Sequence, residues 1–413
     1  MRNGAKWLLF ALGMFMGASL LTQVDLVGFV SGEPQRWRVA RAQQLWLEGD
    51  REQAIQKLDS TLNRGNPSLE ELDLLARWGL RQEDYSVVHW ACEQASGLVS
   101  VEASPGVAQR FASHRAFAFY REHEPDLALE CWRPLAQNEA LQQSPASLNG
   151  HAYLRALVGK ELDIALAQIE KALQVYPWSE VERLQRLAQA NLNLNQNLAA
   201  LDYLDAASTL FEPVQQEATQ AYDRGMTQLL ASPSLRDPQV QSAVQQLRQK
   251  HELQLQRGVL LRLQRIEALK RLGKSDAAKL VGDEVRSLGY EPNELTYLVF
   301  DDQQLESYAA FLDTRGWIKF RKGQWSSAVD DLRKAVECAE TIYQQQLRVV
   351  ESNTQRQVQS RELEDQWKER QQGLAVMYDH LAQALYELGD LEQAERFEGK
   401  VQQLGFQVGP HLY

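Results

Sequence analysis

The chain has 413 residues, a formal net charge of −11 and 44% hydrophobic residues, enough for two or three folded domains or one long repeat array. A negative balance of this size speaks against a molecule built to grip phosphate backbones, so no nucleic-acid partner is expected. The three cysteines, Cys92, Cys131 and Cys338, form no C-x-x-C pair, which excludes a zinc ribbon or a disulfide framework; Cys92 and Cys131 are expected as small buried hydrophobes.

The first element lies at the amino terminus. Residues 1–6 form a short tail with Arg2 and Lys6, and the sequence then runs apolar from Trp7 to Leu21 and more weakly on to Val30. Residues 7–30 are long enough for a spanning helix, which needs about 20 residues. A signal peptide cut near Gly17-Ala18-Ser19 is the rival, and would give a secreted protein. The apolar run continues past that site, so an uncleaved single-pass anchor is the expectation. Flanking charge is nearly balanced between Arg2 and Lys6 before the span and Arg36, Arg38 and Arg41 after it. A short N-terminal tail that stays in the cytoplasm puts the remainder on the extracytoplasmic side.

From residue 36 onward almost nothing alternates as a strand would, and Ala, Leu, Gln, Glu and Arg dominate, so helices are expected throughout. Ala54, Val88, Ala128, Ala165 and Ala200 follow turn-like stretches at steps of 34, 40, 37 and 35 residues. Each is followed at helical spacing by further core candidates: Leu58 and Thr61, Cys92 and Ala95, Trp132 and Leu135, Ile169 and Ala172, Leu204 and Ala207. Twelve residues before each anchor lies a helix with its own mid-helix position, at Ala42, Ala76, Ala116, Tyr153 and Ala188. A helical hairpin of this kind cannot bury its apolar faces alone; several stacked in order can.

The carboxy-terminal third carries the pattern most fully. "LDTRGWIKFRKGQWSSAVDDLRKAVE" supplies Leu312, Gly316, Phe320, Gly323, Trp325, Ala328, Leu332 and Ala335, and "YDHLAQALYELGDLEQAERFEGKV" supplies Tyr378, Leu381, Ala382, Leu385, Gly389, Asp390 and Ala394. With Leu269, Gly273 and Ala278 from a further unit, these residues resemble the tetratricopeptide repeat family. Val88, Tyr153 and Glu398 depart from its pattern. The resemblance implies an all-α fold, a right-handed superhelical array of about eight to nine helical hairpins after the N-terminal transmembrane helix. Degenerate repeats would occupy residues 36–299 and clearer ones 303–406.

Two stretches interrupt the period. Between Pro213 and about Glu252 two helical segments flank Ser232-Pro233 and Pro238, a degenerate hairpin. From Gln324 to Gln372 there is neither Gly nor Pro. That length predicts a helical insertion at about 340–372 that projects from the array and bends near Ser352-Asn353-Thr354. Sustained heptads for pairing with another chain are lacking.

No phosphate loop, H-E-x-x-H or G-x-S-x-G is present, and no catalytic, metal or cofactor role is expected. His114 and His123 read as turn residues near the ends of an aromatic helix. Adjacent carboxylates at Asp301-Asp302 and Asp330-Asp331 point about 100° apart on a helix and cannot share a proton; the first pair suits the cap of a helix near Gln303. In the resembled family the first helix of each unit lines a concave groove, one and four residues after its small position. The resemblance therefore aims Arg77 and Leu80, Phe117 and Tyr120, and Trp317 and Phe320 at a ligand, with Arg81, Arg121 and Arg321 on the same edge. Arginine and aromatics are the types enriched at binding hot spots. The Lys/Asn clamp that some members use for a terminal carboxylate is absent. The expected function is a non-catalytic, membrane-tethered scaffold that binds a protein or peptide partner, acidic in character, through this groove. The alternative is a structural component of a cell-envelope complex that self-associates or contacts sister subunits without a peptide ligand.

Overall fold

The computed structural model describes residues 41–42, 45, 50, 53–54, 56, 67–175, 179–230, 238–292, 302–355 and 361–407. The expected membrane segment 7–30 lies outside them, as do Trp46, Leu58, Thr61 and Pro177. Among the described residues the fold is all-α, and no helix is long and apolar enough to cross a membrane. The chain forms two compact units, residues 1–143 and 144–413.

In the N-terminal unit, α1 (Leu69–Gln82) starts at a capping box. Ser68 accepts from the Glu71 amide at 3.3 Å while the Glu71 carboxylate accepts from the Ser68 amide at 2.8 Å. Two of the orphan amides of the helix start are thereby satisfied. Asp84 caps α2 (Tyr85–Leu98), and Pro105 opens α3 (Pro105–Arg121), where its missing N–H costs nothing. The next helix, α4 (Pro125–Glu130), has only six residues. Pro134 lacks an N–H and its ring would clash with the carbonyl four residues back, at Glu130. The chain turns there, passes a 3₁₀ turn at Leu135–Gln137 and ends the unit in α5 (Glu139–Gln143). Trp132 and Leu135 stay buried, but on a turn rather than on the continuous helix their spacing predicts.

Among the described residues the C-terminal unit holds five hairpins: α6 (Pro145–Val158) with α7 (Leu162–Leu173), α8 (Glu180–Asn193) with α9 (Asn197–Leu230), α10 (Pro238–Arg271) with α11 (Ser275–Ser287), α12 (Asp302–Arg321) with α13 (Trp325–Gln355), and α14 (Arg361–Glu387) with α15 (Leu391–Gln403). The small positions read from the sequence are core: Ala165, Ala188, Ala200, Ala278, Ala328 and Ala394 are all buried. Inside each hairpin the chain reverses through a residue with positive φ. At Gly323 and Gly389 it is 73° and 80°, a conformation that costs glycine nothing.

Two expectations change. Pro213, where the sequence period breaks, does not interrupt the helix: it sits inside α9, which runs for 34 residues and packs against the equally long α10. Helix α13 runs through Ser352-Asn353-Thr354 to Gln355, and residues 356–360, between it and α14, lie outside the described part. Most important, the hairpins do not stack in sequence order. Helix α12 packs on α6 and α7, and α14 packs on α13, so hairpins α6–α7, α12–α13 and α14–α15 share one stack. Leu148, Ala152, Ile169, Leu312, Ile318 and Ala335 form its central core. Hairpins α8–α9 and α10–α11 leave from the side, where α8 meets α13. Buried Arg183 fixes that junction, bonding Glu180 at 2.6 Å on its own helix and Glu337 on α13.

Within the stack, α12 and α13 approach closely. A Cβ on Gly316 would fall 2.6 Å from Leu332 Cγ, and Ala328 faces this seam with no exposed area. Ala328→Leu is therefore expected to overpack the seam and cost about 1–3 kcal/mol. Glu395→Ala, on an exposed face, should stay within about 0.5 kcal/mol of the parent. Urea denaturation compares the two; equal effects would show that Ala328 is not at a packed seam.

Candidate functional site

In the N-terminal unit α1 and α3 lie side by side. Helical spacing gives each a polar row, Asp73, Arg77 and Arg81 on α1 and Arg110, His114, Phe117 and Arg121 on α3. The rows meet at Asp73. His114 Nε2 lies 3.1 Å from one carboxylate oxygen, while Arg77 Nη2 at 3.2 Å and Arg110 Nη1 at 3.8 Å approach the other. The carboxylate side chain is only 12% exposed, whereas Arg77 is 44% and Arg110 60% exposed. One covered negative charge thus organises two arginines that still face water, and the cluster keeps a positive surplus. Arg81 is exposed and Arg121 half-buried one turn further along the same rows, with Phe117 and Tyr120 half-buried between them.

Burial alone would raise the Asp73 pKa. The hydrogen bond to His114 and the charges of Arg77 and Arg110 outweigh it, and hold the carboxyl below its ordinary value. A depressed carboxylate pKa stabilises the fold above the unfolded-state pKa, and that contribution fades as pH falls through the folded value. Thermal melts between about pH 6 and pH 3 should therefore show a loss of stability that is shallower in Asp73→Asn. Identical slopes would mean that the cluster does not stabilise the carboxylate.

Of the C-terminal candidates, Arg321 is exposed and Phe320 half-buried, whereas Trp317 is buried. Trp317, expected to face a ligand, is 4% exposed. Its ring stacks on Phe320 of its own helix at 4.8 Å and on His380 of α14 at 4.1 Å. The Arg321 guanidinium lies 5.9 Å from the Trp317 ring and 3.5 Å from the Leu157 carbonyl, near the C-terminus of α6 where a cation is favoured. The N-terminal residues and Trp317, Phe320 and Arg321 belong to different compact units. The structure brings Arg77 together with two residues not expected at the site, Arg110 and His114. His114 is not at a turn: α3 begins at Pro105, and His114 sits mid-helix. His123 does occupy a turn, with φ of 63°. The spacing of Arg110, His114, Phe117 and Arg121 along one face was the available signal.

Of the acidic pairs, Asp331 is buried and takes Arg315 at 2.6 and 2.7 Å and Lys319 at 2.6 Å, while Asp330 is exposed. Asp302 begins α12, and Asp301 lies outside the described residues. No group of three or more potential metal ligands occurs among the described residues. Cys92 and Cys338 are buried and Cys131 half-buried.

No protein-family model matches the chain, and no curated protein matches it either. Among solved structures, a tetratricopeptide repeat protein from Parabacteroides merdae is 15% identical over 75% of this chain and 98% of its own, with a TM-score of 0.27. Yeast Tom70 is 12% identical over 90% of this chain and 93% of its own, with a TM-score of 0.17. Neither likeness is close enough to bear on function.

Proposed function

We propose that the protein is a non-catalytic interaction scaffold that holds an acidic segment of a partner protein on the α1/α3 face of its N-terminal unit. The observation that carries this reading is the pair of solvent-facing guanidiniums, Arg77 and Arg110, set on one covered carboxylate. Asp73 draws both toward one face before binding, which lowers the ordering cost for a carboxylate-bearing ligand. A local positive surplus on a molecule of net charge −11 also directs an acidic segment to this face and away from the remainder. The register of small residues resembling tetratricopeptide repeats agrees with a scaffold role. The apolar run at residues 7–30 supports a membrane tether, which would make the search for a partner local; sedimentation that resists carbonate extraction tests it.

The binding test uses full-length, detergent-solubilised protein and a fluorescent Glu/Asp-rich peptide followed by anisotropy. Binding should weaken steeply as salt rises from about 50 to about 300 mM, as expected for partly exposed charges. A Gln/Asn-rich peptide of equal length should not bind. Equal binding of both peptides, or indifference to salt, would remove the electrostatic basis of the proposal.

A further inference from the structure

The N-terminal unit contains a cavity of about 320 Å³ whose walls include none of Asp73, Arg77, Arg110 and His114. It owes its existence to the short helix α4. Pro134 ends that helix early, and where a full-length second helix would pack on α2 and α3 the chain instead makes the turn at residues 131–134. Most of the wall is apolar, with Ala95, Val99, Phe111 and Leu135 prominent. Its volume falls at the low end of the range typical of small-molecule sites.

One wall residue does not suit an apolar void. Arg115, on α3, is half-buried, and its Nε is fully buried with no hydrogen-bond partner. Its guanidinium carbon lies 5.6 Å from the Phe119 ring centroid, which compensates part of the charge. Among the described residues no carboxylate pairs with it. Glu130, the acidic residue on the cavity wall, pairs with Arg133. The two thiols on the wall do not supply the missing charge. Burial pushes Cys92 up to about 12 and Cys131 up to about 11, despite the nearby guanidinium, so both are protonated at neutral pH. A half-buried guanidinium that no protein carboxylate neutralises is costly, and the apolar chamber lies beside it.

We infer that this cavity is a binding site for a small organic acid with an apolar body, its carboxylate on Arg115 and its hydrocarbon between α2, α3 and the Cys131–Pro134 turn. Guanidinium and carboxylate match in a two-point, charge-assisted fork. The alkyl part would displace water from the apolar wall. The residues of this site are not those of the partner-binding face.

The test uses full-length protein with octanoate as probe and octanol as the control of equal chain length, both titrated by calorimetry. Octanoate should bind at least about tenfold more tightly than octanol, the ratio that one charge-assisted hydrogen bond supplies. Arg115→Gln should erase that ratio while octanol binding stays the same. Octanoate should also slow alkylation of Cys131 by N-ethylmaleimide, read by mass spectrometry, which locates the ligand without relying on a variant. Equal affinity for the two probes, a ratio that survives Arg115→Gln, or unprotected Cys131 would each overturn the inference.

Discussion

His380→Ala lowers the stability of the C-terminal unit by about 3–5 kcal/mol, the cost of breaking a buried polar pair by removing one partner. The Nδ1 atom of His380 lies 2.9 and 3.1 Å from the two carboxylate oxygens of Asp313, and both side chains are buried where α12 meets α14. Removing the ring strands the carboxylate and strips one face of Trp317. The comparison that isolates the cause is the double replacement Asp313→Leu with His380→Leu. Apolar residues of similar volume at both positions leave nothing buried unpaired, so most of the loss should be recovered. Urea denaturation followed by circular dichroism gives both values. If the single variant loses less than about 1 kcal/mol, or the double variant is worse than the single, the pair does not hold these hairpins together.

Arg77→Glu combined with Arg110→Glu should weaken binding of the acidic peptide by at least about 100-fold. Two charge-assisted contacts are worth about 1.5–3 kcal/mol each, and 1.4 kcal/mol is a factor of ten. Reversal also adds repulsion, both toward the ligand and toward Asp73, so stability must be followed in parallel. The milder pair, Arg77→Gln with Arg110→Gln, keeps the shape and should still cost about tenfold. Lys279→Glu with Arg333→Glu changes the net charge by the same amount on exposed positions of the other unit and should leave the affinity as it was. Loss of binding in this control, with binding retained in the reversed cluster, would place the acidic segment elsewhere.

The parts of the fold that the sequence made legible are those that depend on one helix at a time. Ala54, Val88, Ala128, Ala165 and Ala200, chosen by spacing, are all fully buried, because helical periodicity reports which face leaves water. It does not report what covers that face. Nothing in residues 144–173 says that α12 and not α8 will pack on α6 and α7, since both candidates offer small residues at the same register. Pro213 marks a break in the period but not in the helix, for a related reason. Its cost inside a helix is about 3 kcal/mol in isolation, but a 34-residue helix packed along α10 can absorb it. At the candidate site, Arg77 was legible from the register of α1. Arg110 and His114 were not, because their role comes from Asp73 on the neighbouring helix.

The side branch formed by α8–α11 has a bearing on how the protein is made. In a linear array each hairpin emerging from the ribosome finds its platform already built, and the array can lengthen or shorten at either end. Here α7 ends at Leu173 and the helix that covers it begins at Asp302, roughly 130 residues later. At about 5–20 residues per second that is on the order of ten seconds of translation. During it the faces carrying Leu148, Ala152 and Ile169 lack their eventual cover. The nascent chain therefore carries an apolar surface that a chaperone can hold. A chain terminated before residue 302 would lose more than its last repeats, because the hairpin α6–α7 that it still contains would have nothing to close against.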